Sequence, residues 1–506
     1  MKESVVSDPE HLSDDVYRDI ETQAASESPS SSPSIDIQTP LCVDLDGTLI
    51  KTDLLLESFL VLIKRNPLYI FQCLLWLLHG KAYMKAEIAK RIKLDITLIP
   101  YNELITSYLY EEHQRGRKLY LCTASDRLLA NEVAKHLGYF SGVFASDGRY
   151  NVSGTNKAHV LKHQFGDDGF DYIGNSYDDV PVWKAARKAI VVGNQGIAGA
   201  AFKVNTNTTV FEHQGFSLKK ALKAMRVYQW VKNILIFIPL LTSHRFTEAS
   251  AVMYSVIAFF SFSLCASSVY LLNDMLDLEA DRRHARKRHR PFAAGHLSLS
   301  IGMVMTVALL LSSLGLALLL PPKFTLVLGA YYVLTLAYSF KLKKMQLVDV
   351  FALAGLYTSR VVAGGAAAAI TLSSWLVLFS ITIFLSLAIV KRYTELDAML
   401  RNGGTSAAGR GYLTQDLGIL RSFGVAAGYL AVVIMAIYTN SPDIKLLYRH
   451  QSGLWGVFAL MLFWISWMWM HAFHGKMHDD PIVFALKNRT SLLTIAAIVG
   501  CVLIAI

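Results

Sequence analysis

Apolar and polar positions divide the chain into three unequal stretches. Residues 1–38 are polar, 39–215 have the mixed pattern of soluble sequence, and 228–506 are dominated by long apolar runs. A helix that crosses a bilayer needs about 20 mostly apolar residues. Nine runs are candidates, centred near Ile236, Phe260, Leu310, Val333, Ala354, Phe384, Val432, Leu462 and Ile498. The first is short and begins among Arg226, Trp230 and Lys232, as an interface-anchored helix would. Two further apolar runs, Leu54–Ile63 and Leu68–Leu78, are broken by Lys64-Arg65-Asn66-Pro67. Each is too short to span, so the pattern predicts a pair of amphipathic helices that cap the soluble part and touch the membrane surface. The expected organisation is a tail (1–38), an α/β domain (39–215) and an all-α polytopic bundle (216–506).

Charge supports this division. Of the 506 residues 53% are hydrophobic and 17% charged, with a mean hydropathy of +0.36. With the N-terminus inside, the inner loops carry Arg282, Arg283, Arg286, Lys287, Arg288 and Arg290; Lys341, Lys343 and Lys344; Lys391, Arg392, Arg401, Arg410 and Arg421; and Lys476, Lys487 and Arg489. The outer loops carry only Arg245, Lys323, Lys445 and Arg449. The positive-inside rule then puts the soluble domain in the cytoplasm and the C-terminus outside a cell (inner) membrane. Because the net charge of +10 lies mostly in these loops, it argues for lipid and phosphorylated substrates and against a nucleic-acid partner. The Ser-, Asp- and Glu-rich segment 7–36 is expected to be a disordered cytoplasmic tail, with no signal peptide. The five cysteines show no paired spacing and read as reduced thiols.

The second span ends in Asn273-Asp274-Met-Leu-Asp277-Leu-Glu279-Ala-Asp281. On one continuous helix Asp274, Asp277 and Asp281 share a face, and like charges so placed need a positive partner. Magnesium prefers one or two carboxylates plus substrate phosphates. The basic run Arg282–Arg290 follows at once, so acids able to hold metal stand beside bases able to hold phosphate.

Asn-Asp-x-x-Asp-x-x-x-Asp in this place resembles the signature of the UbiA-type intramembrane prenyltransferases, which implies nine helices around a cavity capped on the cytoplasmic side. More specific segments resemble the polyprenyl-phosphate (decaprenyl-phosphate) phosphoribosyltransferase branch over about residues 220–490. These are Arg226-x-x-Gln229-Trp-Val-Lys232-Asn233, Asp281-x-x-His284-x-x-Lys287-Arg288-x-Arg290-Pro291, Tyr338-Ser-x-x-Leu-Lys343, Asp349, Arg360-Val-Val-Ala-Gly364-Gly365 and Lys391-Arg392-Tyr393-x-Glu395-Leu396. The resemblance implies Mg2+ on Asp274, Asp277 and Asp281. It also implies substrate contacts from Asn273, Lys232, Lys287, Arg288, Arg290, Tyr338, Lys343, Arg360, Lys391 and Arg392. Phosphoribosyl pyrophosphate would be the donor and a polyprenyl phosphate the acceptor. Ordinary members of the superfamily carry a second acidic cluster near the sixth span; here bases lead, which suits a substrate with an extra phosphate. Lys341 and Lys344 read as topology residues, whereas Arg360 lies deep enough for its cost in lipid to suggest function.

In the soluble stretch, Leu41-Cys42-Val43 runs into Asp44-Leu45-Asp46-Gly47-Thr48. Strand alternation points Asp44 and Asp46 to one side. This resembles the first motif of the haloacid-dehalogenase-like phosphatases, a doubly wound α/β fold. Asp44 would be the nucleophile, Asp46 the general acid/base, Thr123 a phosphate donor, and Lys157 the cation facing the aspartyl-phosphate. Asp44, Asp46, Asn175 and Asp179 would be metal ligands, and the helical stretch of about 51–115 a cap. One departure is Asn175, where the family's fourth motif has an aspartate; the site loses a negative charge.

Together these features predict phosphoribosyl transfer to a polyprenyl phosphate, followed by removal of the 5-phosphate in the soluble domain, as a step in cell-envelope biosynthesis. Three alternatives stay open: polyprenyl transfer from a prenyl diphosphate to an aromatic ring, a soluble domain that is only regulatory, and a transporter. Homo-oligomerisation is also left open.

Overall fold

Leu41, Cys42 and Val43 form a fully buried strand, β1, whose apolar faces are both covered. A continuous apolar run is what a central parallel strand requires. β2 (Leu119–Asp126), β3 (Gly142–Ser146), β4 (Asp171–Gly174), β5 (Lys188–Gly193) and β6 (Thr208–Glu212) complete a six-stranded parallel sheet of order β3-β2-β1-β4-β5-β6. The chain reverses its winding at β1, between β2 and β4, so a crevice opens at the carboxyl end of β1. Asp44 and Asp46 follow that strand directly. This computed structural model describes residues 38–212, 217–404, 411–439, 448, 450, 452–477 and 480–505. The expected tail, apart from Gln38, lies outside the described residues, as do Arg410, Lys445 and Arg449.

Four helices stand between β1 and β2: α1 (Leu54–Arg65), α2 (Tyr69–Leu78), α3 (Lys81–Ala89) and α4 (Glu103–Gln114). Asp53 starts α1 by accepting the Leu56 N–H at 2.9 Å, an N-cap. The Lys-Arg-Asn-Pro break ends it. The sheet is flanked by α5 (Arg127–Leu137), α6 (Gly154–Phe165), α7 (Val180–Ala185) and α8 (Gln195–Phe202).

The remaining helices are α9 (Leu218–Ala224), α10 (Ile238–Thr242), α11 (Ala249–Leu276), α12 (Leu278–Arg283), α13 (Leu299–Ala317), α14 (Pro322–Phe340), α15 (Val348–Ala367), α16 (Ser374–Arg401), α17 (Leu417–Thr439), α18 (Ser452–Phe473), α19 (Pro481–Lys487) and α20 (Arg489–Ala505). Among the described residues seven helices are long and apolar enough to cross a membrane: α11, α13, α14, α15, α16, and those ending at Thr439 and Phe473. The pair α19–α20, bent by 81°, brings the number to eight. The ninth expected span, near Ile236, differs. Val227–Phe237 is a 3-10 helix that turns into α10 at Pro239, and the apolar stretch Val227–Thr242 is shorter than a full span. Runs of 3-10 helix this long are uncommon and need outside support.

Tertiary packing supplies that support. Asn233 donates to Ser263 Oγ at 2.8 Å, and Trp230 Nε1 to Ser267 Oγ at 2.9 Å. On the other side α15 presses Gly364 against the carbonyl of Ile236, where an added Cβ would stand 1.9 Å from the oxygen. The Gly-Gly of the Arg360–Gly365 segment therefore permits a close backbone approach.

The soluble half is docked on the same end of the bundle as the aspartate cluster. Leu60 of α1 packs with Leu271, Met275, Leu278, Phe292 and Leu297. Glu57 accepts two bonds from Arg282, at 2.9 and 2.5 Å, with both side chains almost fully enclosed. Gly295, at φ +67°, lets the chain approach Lys51, whose Cβ would lie 2.5 Å from any Cβ added there. A cavity of about 220 Å³ remains in this seam, lined by Leu60, Val61, Lys64, Leu94, Met275 and Arg282.

Gly364→Ala is expected to lower the unfolding stability of the solubilised protein by about 1–3 kcal/mol, the usual cost of overpacking. Gly355→Ala, in the same helix, would meet only Leu334 Cδ2 at an ordinary 3.7 Å and should be near neutral. Equal unfolding midpoints for the two variants would contradict the close approach.

Candidate functional site

The single acidic face expected of 274–281 does not form. Helix α11 ends at Leu276, Asp277 takes φ −102° and ψ 16°, and Asp281 lies on the separate helix α12. Three like charges in one row would repel, and the break turns them apart. Asp274 and Asp281 share Arg290, whose Nη1 donates to both at 3.1 and 2.6 Å. Asp274 also accepts from Arg226, a residue held in the left-handed region at φ 53° and stacked over Tyr270. Asp277 faces elsewhere, accepting Lys343 at 3.1 Å and, from helix α1 of the soluble half, Lys64 at 2.8 Å. Three carboxylates thus meet four cations.

Among the described residues no three Asp, Glu, His or Cys side chains gather into a ready metal cage. The structure brings Asp274 and Asp281 of the expected triad together on Arg290 and sets Asp277 apart from them. The pair fits a divalent ion: one cationic nitrogen already lies between Asp274 and Asp281, and two carboxylates with substrate oxygens suffice for magnesium. Asn273 is half-buried beside them; Lys287 and Arg288 lie exposed on the following 3-10 turn, and Tyr338 is half-buried on α14.

A second polar cluster has an acid at its centre that sequence reading did not identify. Asp480, just before α19, accepts from Lys232 at 2.7 Å, Lys391 at 3.2 Å and the Tyr357 hydroxyl at 3.1 Å. Lys232 and Lys391 are thereby brought together, while two other expected substrate cations are engaged in packing. Arg392 is fully buried and bonds Asp349 at 2.8 Å, with Tyr412 on the other carboxylate oxygen. Arg360 donates to Asn233 at 2.8 Å and lies within stacking distance of Phe262, Tyr331 and Tyr357. Such an enclosure settles the cost of a charge inside a span. Both arginines hold helices to one another instead of facing open space.

In the soluble half, Lys157 donates to Asp44 Oδ1 at 2.7 Å and Asp179 Oδ1 at 3.2 Å. Asp46 accepts the Leu54 N–H at 2.8 Å and the Ser125 hydroxyl at 2.6 Å, with Thr123 Oγ1 at 3.5 Å. Asp179 is turned inward: Oδ1 takes Tyr172 and Lys157, and Oδ2 the N–H groups of Asn175 and Ser176. It braces the loop with both carboxylate oxygens. Asn175 lies over Gly47, whose absent Cβ would fall 2.2 Å from Asn175 Nδ2. Gly47, at φ +76°, is thus needed for both its conformation and its size.

Burial pushes the Asp44 carboxyl up to about 6 against the pull of Lys157. Burial and the neighbouring Asp53 and Asp44 push Asp46 up to about 7. Burial would lower Lys157, but Asp44 and Asp179 outweigh it and hold the ammonium above its ordinary value. Two adjacent buried carboxylates short of positive charge are a donor set that suits a divalent cation. Ser125, Lys64, Arg226, Asp480 and Tyr357 are the contacts that motif reading missed; Arg226 stood inside a recognised segment, and Lys64 sat in the break between two apolar runs.

A 35% identical, uncharacterised protein of Sinorhizobium fredii, y4nM, aligns over 90% of this chain and 89% of its own length. The decaprenyl-phosphate phosphoribosyltransferase of Mycobacterium tuberculosis is 32% identical over 54% of this chain and 90% of its own. A solved UbiA homologue from Archaeoglobus fulgidus, described as bound to GPP and Mg2+, is 16% identical, with a TM-score of 0.44, covering 57% of this chain and all of that one. The family profile described as the UbiA prenyltransferase family matches residues 236–498, just over half of the chain. With seven or eight apolar helices among the described residues and paired acid and base clusters at their ends, this chain belongs to the UbiA prenyltransferase family.

Proposed function

We propose that the membrane half transfers a 5-phosphoribosyl group from phosphoribosyl pyrophosphate to a polyprenyl phosphate, and that the soluble half then removes the 5-phosphate. The observation that carries the first step is Arg226, Arg290, Lys343 and Lys64 ranged around Asp274, Asp277 and Asp281. These cations would grip diphosphate oxygens, and Asp274 with Asp281 would hold magnesium. Bound magnesium supplies neutralisation of the charge that grows on the leaving diphosphate. A lipid phosphate oxygen bonds to ribose C1 as the C1–O bond to diphosphate breaks, and diphosphate departs with the electron pair. The attacking oxygen is already anionic, so no base is required. Lys232 and Lys391, with Asp480 between them, are placed to hold the second phosphate of the substrate pair. The relative from Mycobacterium tuberculosis, named for decaprenyl-phosphate phosphoribosyl transfer, supports this choice over prenyl transfer to an aromatic acceptor.

For the second step, Asp44 attacks phosphorus while Asp46 protonates the departing alkoxide; water then hydrolyses the aspartyl-phosphate, with Asp46 taking its proton. A carboxyl raised to about 7 retains its proton near neutrality and suits the acid role. Lys157 balances the charge on Asp44. Following the positive-inside distribution, both sites face the cytoplasm.

Purified protein given phosphoribosyl pyrophosphate, polyprenyl phosphate and magnesium should release diphosphate and then inorganic phosphate. Asp274→Ala should cut diphosphate release about a hundredfold or more. Consumption of prenyl diphosphate instead, with phosphoribosyl pyrophosphate untouched, would replace this reading with aromatic prenylation. Asp44→Asn should abolish phosphate release and leave diphosphate release in place; unchanged phosphate release would remove the soluble half from the sequence. Lys64→Ala should raise the KM for the diphosphate donor about tenfold, and Lys64→Arg should restore most of it. An unaltered KM in Lys64→Ala would mean that the soluble half adds nothing to the membrane site.

A further inference from the structure

Helix α2 combines an uncharged sequence with a largely exposed apolar surface. From Leu68 to Leu78 it contains no charged residue. Only Cys73 and Trp76 are buried, against Leu62 and Ile88, with Arg91 over the indole ring. The other side is bare: Leu68 is 66% exposed, Phe71 67%, Leu74 58%, Leu75 59% and Leu78 82%. These positions fall at helical spacing, so they form one continuous apolar face. A patch of this kind on a protein surface marks a contact with something apolar.

Three observations select the occupant. Ten residues rise about 15 Å, half a bilayer core, so α2 cannot cross but can lie along a surface. Its predecessor α1 packs against α11 and α13, and α13 turns Val304, Val307 and Leu311 outward, where the family's spans meet lipid. The bare helix therefore follows directly on one that is seated against two candidate spans of the bundle. Basic residues flank the helix, Arg65 before it and Lys81 after it, as headgroup phosphates would favour.

We propose that α2 lies in the leaflet on the aspartate side of the membrane, its apolar face sunk into the acyl boundary and its ends at headgroup level. The next helix, α3, carries this anchor to the soluble site: Lys85 donates at 2.7 Å to the Ala124 carbonyl, in the end of β2 that presents Thr123 and Ser125, and to Asn151 at 3.0 Å. The crevice at Asp44 is thereby held at the lipid surface, where a phosphate ester on a lipid headgroup can enter without its tail leaving the leaflet. The anchor stands whether or not the transferred group is phosphoribose.

The test uses the full chain in nanodiscs of phosphatidylcholine and phosphatidylglycerol, with an environment-sensitive NBD label on single cysteines replacing Phe71, Leu75 or Leu78. All three side chains are exposed, so their replacement leaves the core untouched. Labelled wild type gives the background from the native thiols, and Lys90→Cys, on the polar surface, gives the water reference. Labels at 71, 75 and 78 should emit to the blue of the label at 90 and be quenched by lipids carrying a doxyl group near the top of the acyl chain. Water-like emission at all three positions would overturn the proposal. So would an apolar signal that doxyl lipid does not quench, or one present only in discs holding two copies, since a protein partner or a second chain would then cover the face.

Discussion

Three carboxylates crowded at the end of one membrane helix cannot stand without compensation, and much of the structure follows from supplying it. The helix breaks at Asp277, which turns one acid away from the other two. Arg226 accepts a left-handed backbone to reach Asp274, and Arg290 folds back from the next loop to bridge Asp274 and Asp281. Lys343 comes from the loop after α14, and Lys64 from a different domain. With four cations to three anions in contact, the region keeps a surplus that a diphosphate–magnesium pair can enter. The same logic, inverted, governs the second cluster, where Lys232 and Lys391 are held together by Asp480.

What was legible in the sequence was whatever depended on local pattern. The buried strand β1, the turn at Gly47 and the long apolar helices all follow from the periodicity of neighbouring residues. Two kinds of feature were not legible. A helix break at Asp277 is invisible when the spacing i, i+3, i+7 is read as one continuous helix. Partners distant in sequence were hidden too: Asp480 meets Lys232 across 248 positions, and Lys64 meets Asp277 across 213. Arg360 and Arg392 show the same limit from the other side. Their depth in the membrane half marked them as unusual, but only packing shows that Asn233 and Asp349 occupy them. Aromatic enclosure and a buried carboxylate answer the same desolvation cost that a substrate phosphate would.

Gly364 and Gly47 illustrate how small residues in recognisable segments act by absence. One lets an irregular 3-10 helix lie against α15, so that Lys232 and Asn233 reach the interior. The other leaves room for Asn175 above the paired aspartates. Each sets where a polar side chain sits without a side chain of its own.

Helix α1 touches both sites. Its first N–H is bonded to Asp46 and its penultimate side chain to Asp277, twelve residues that rise about 18 Å. The two halves are consequently not interchangeable parts. A soluble domain grafted from another protein would bring its own sheet and aspartates but no lysine at the far end of this helix, and a bundle expressed alone would lose a cation from its mouth. The connection goes beyond tethering: one helix is bonded at its two ends to the two aspartate clusters, so a change in either half is felt in the other.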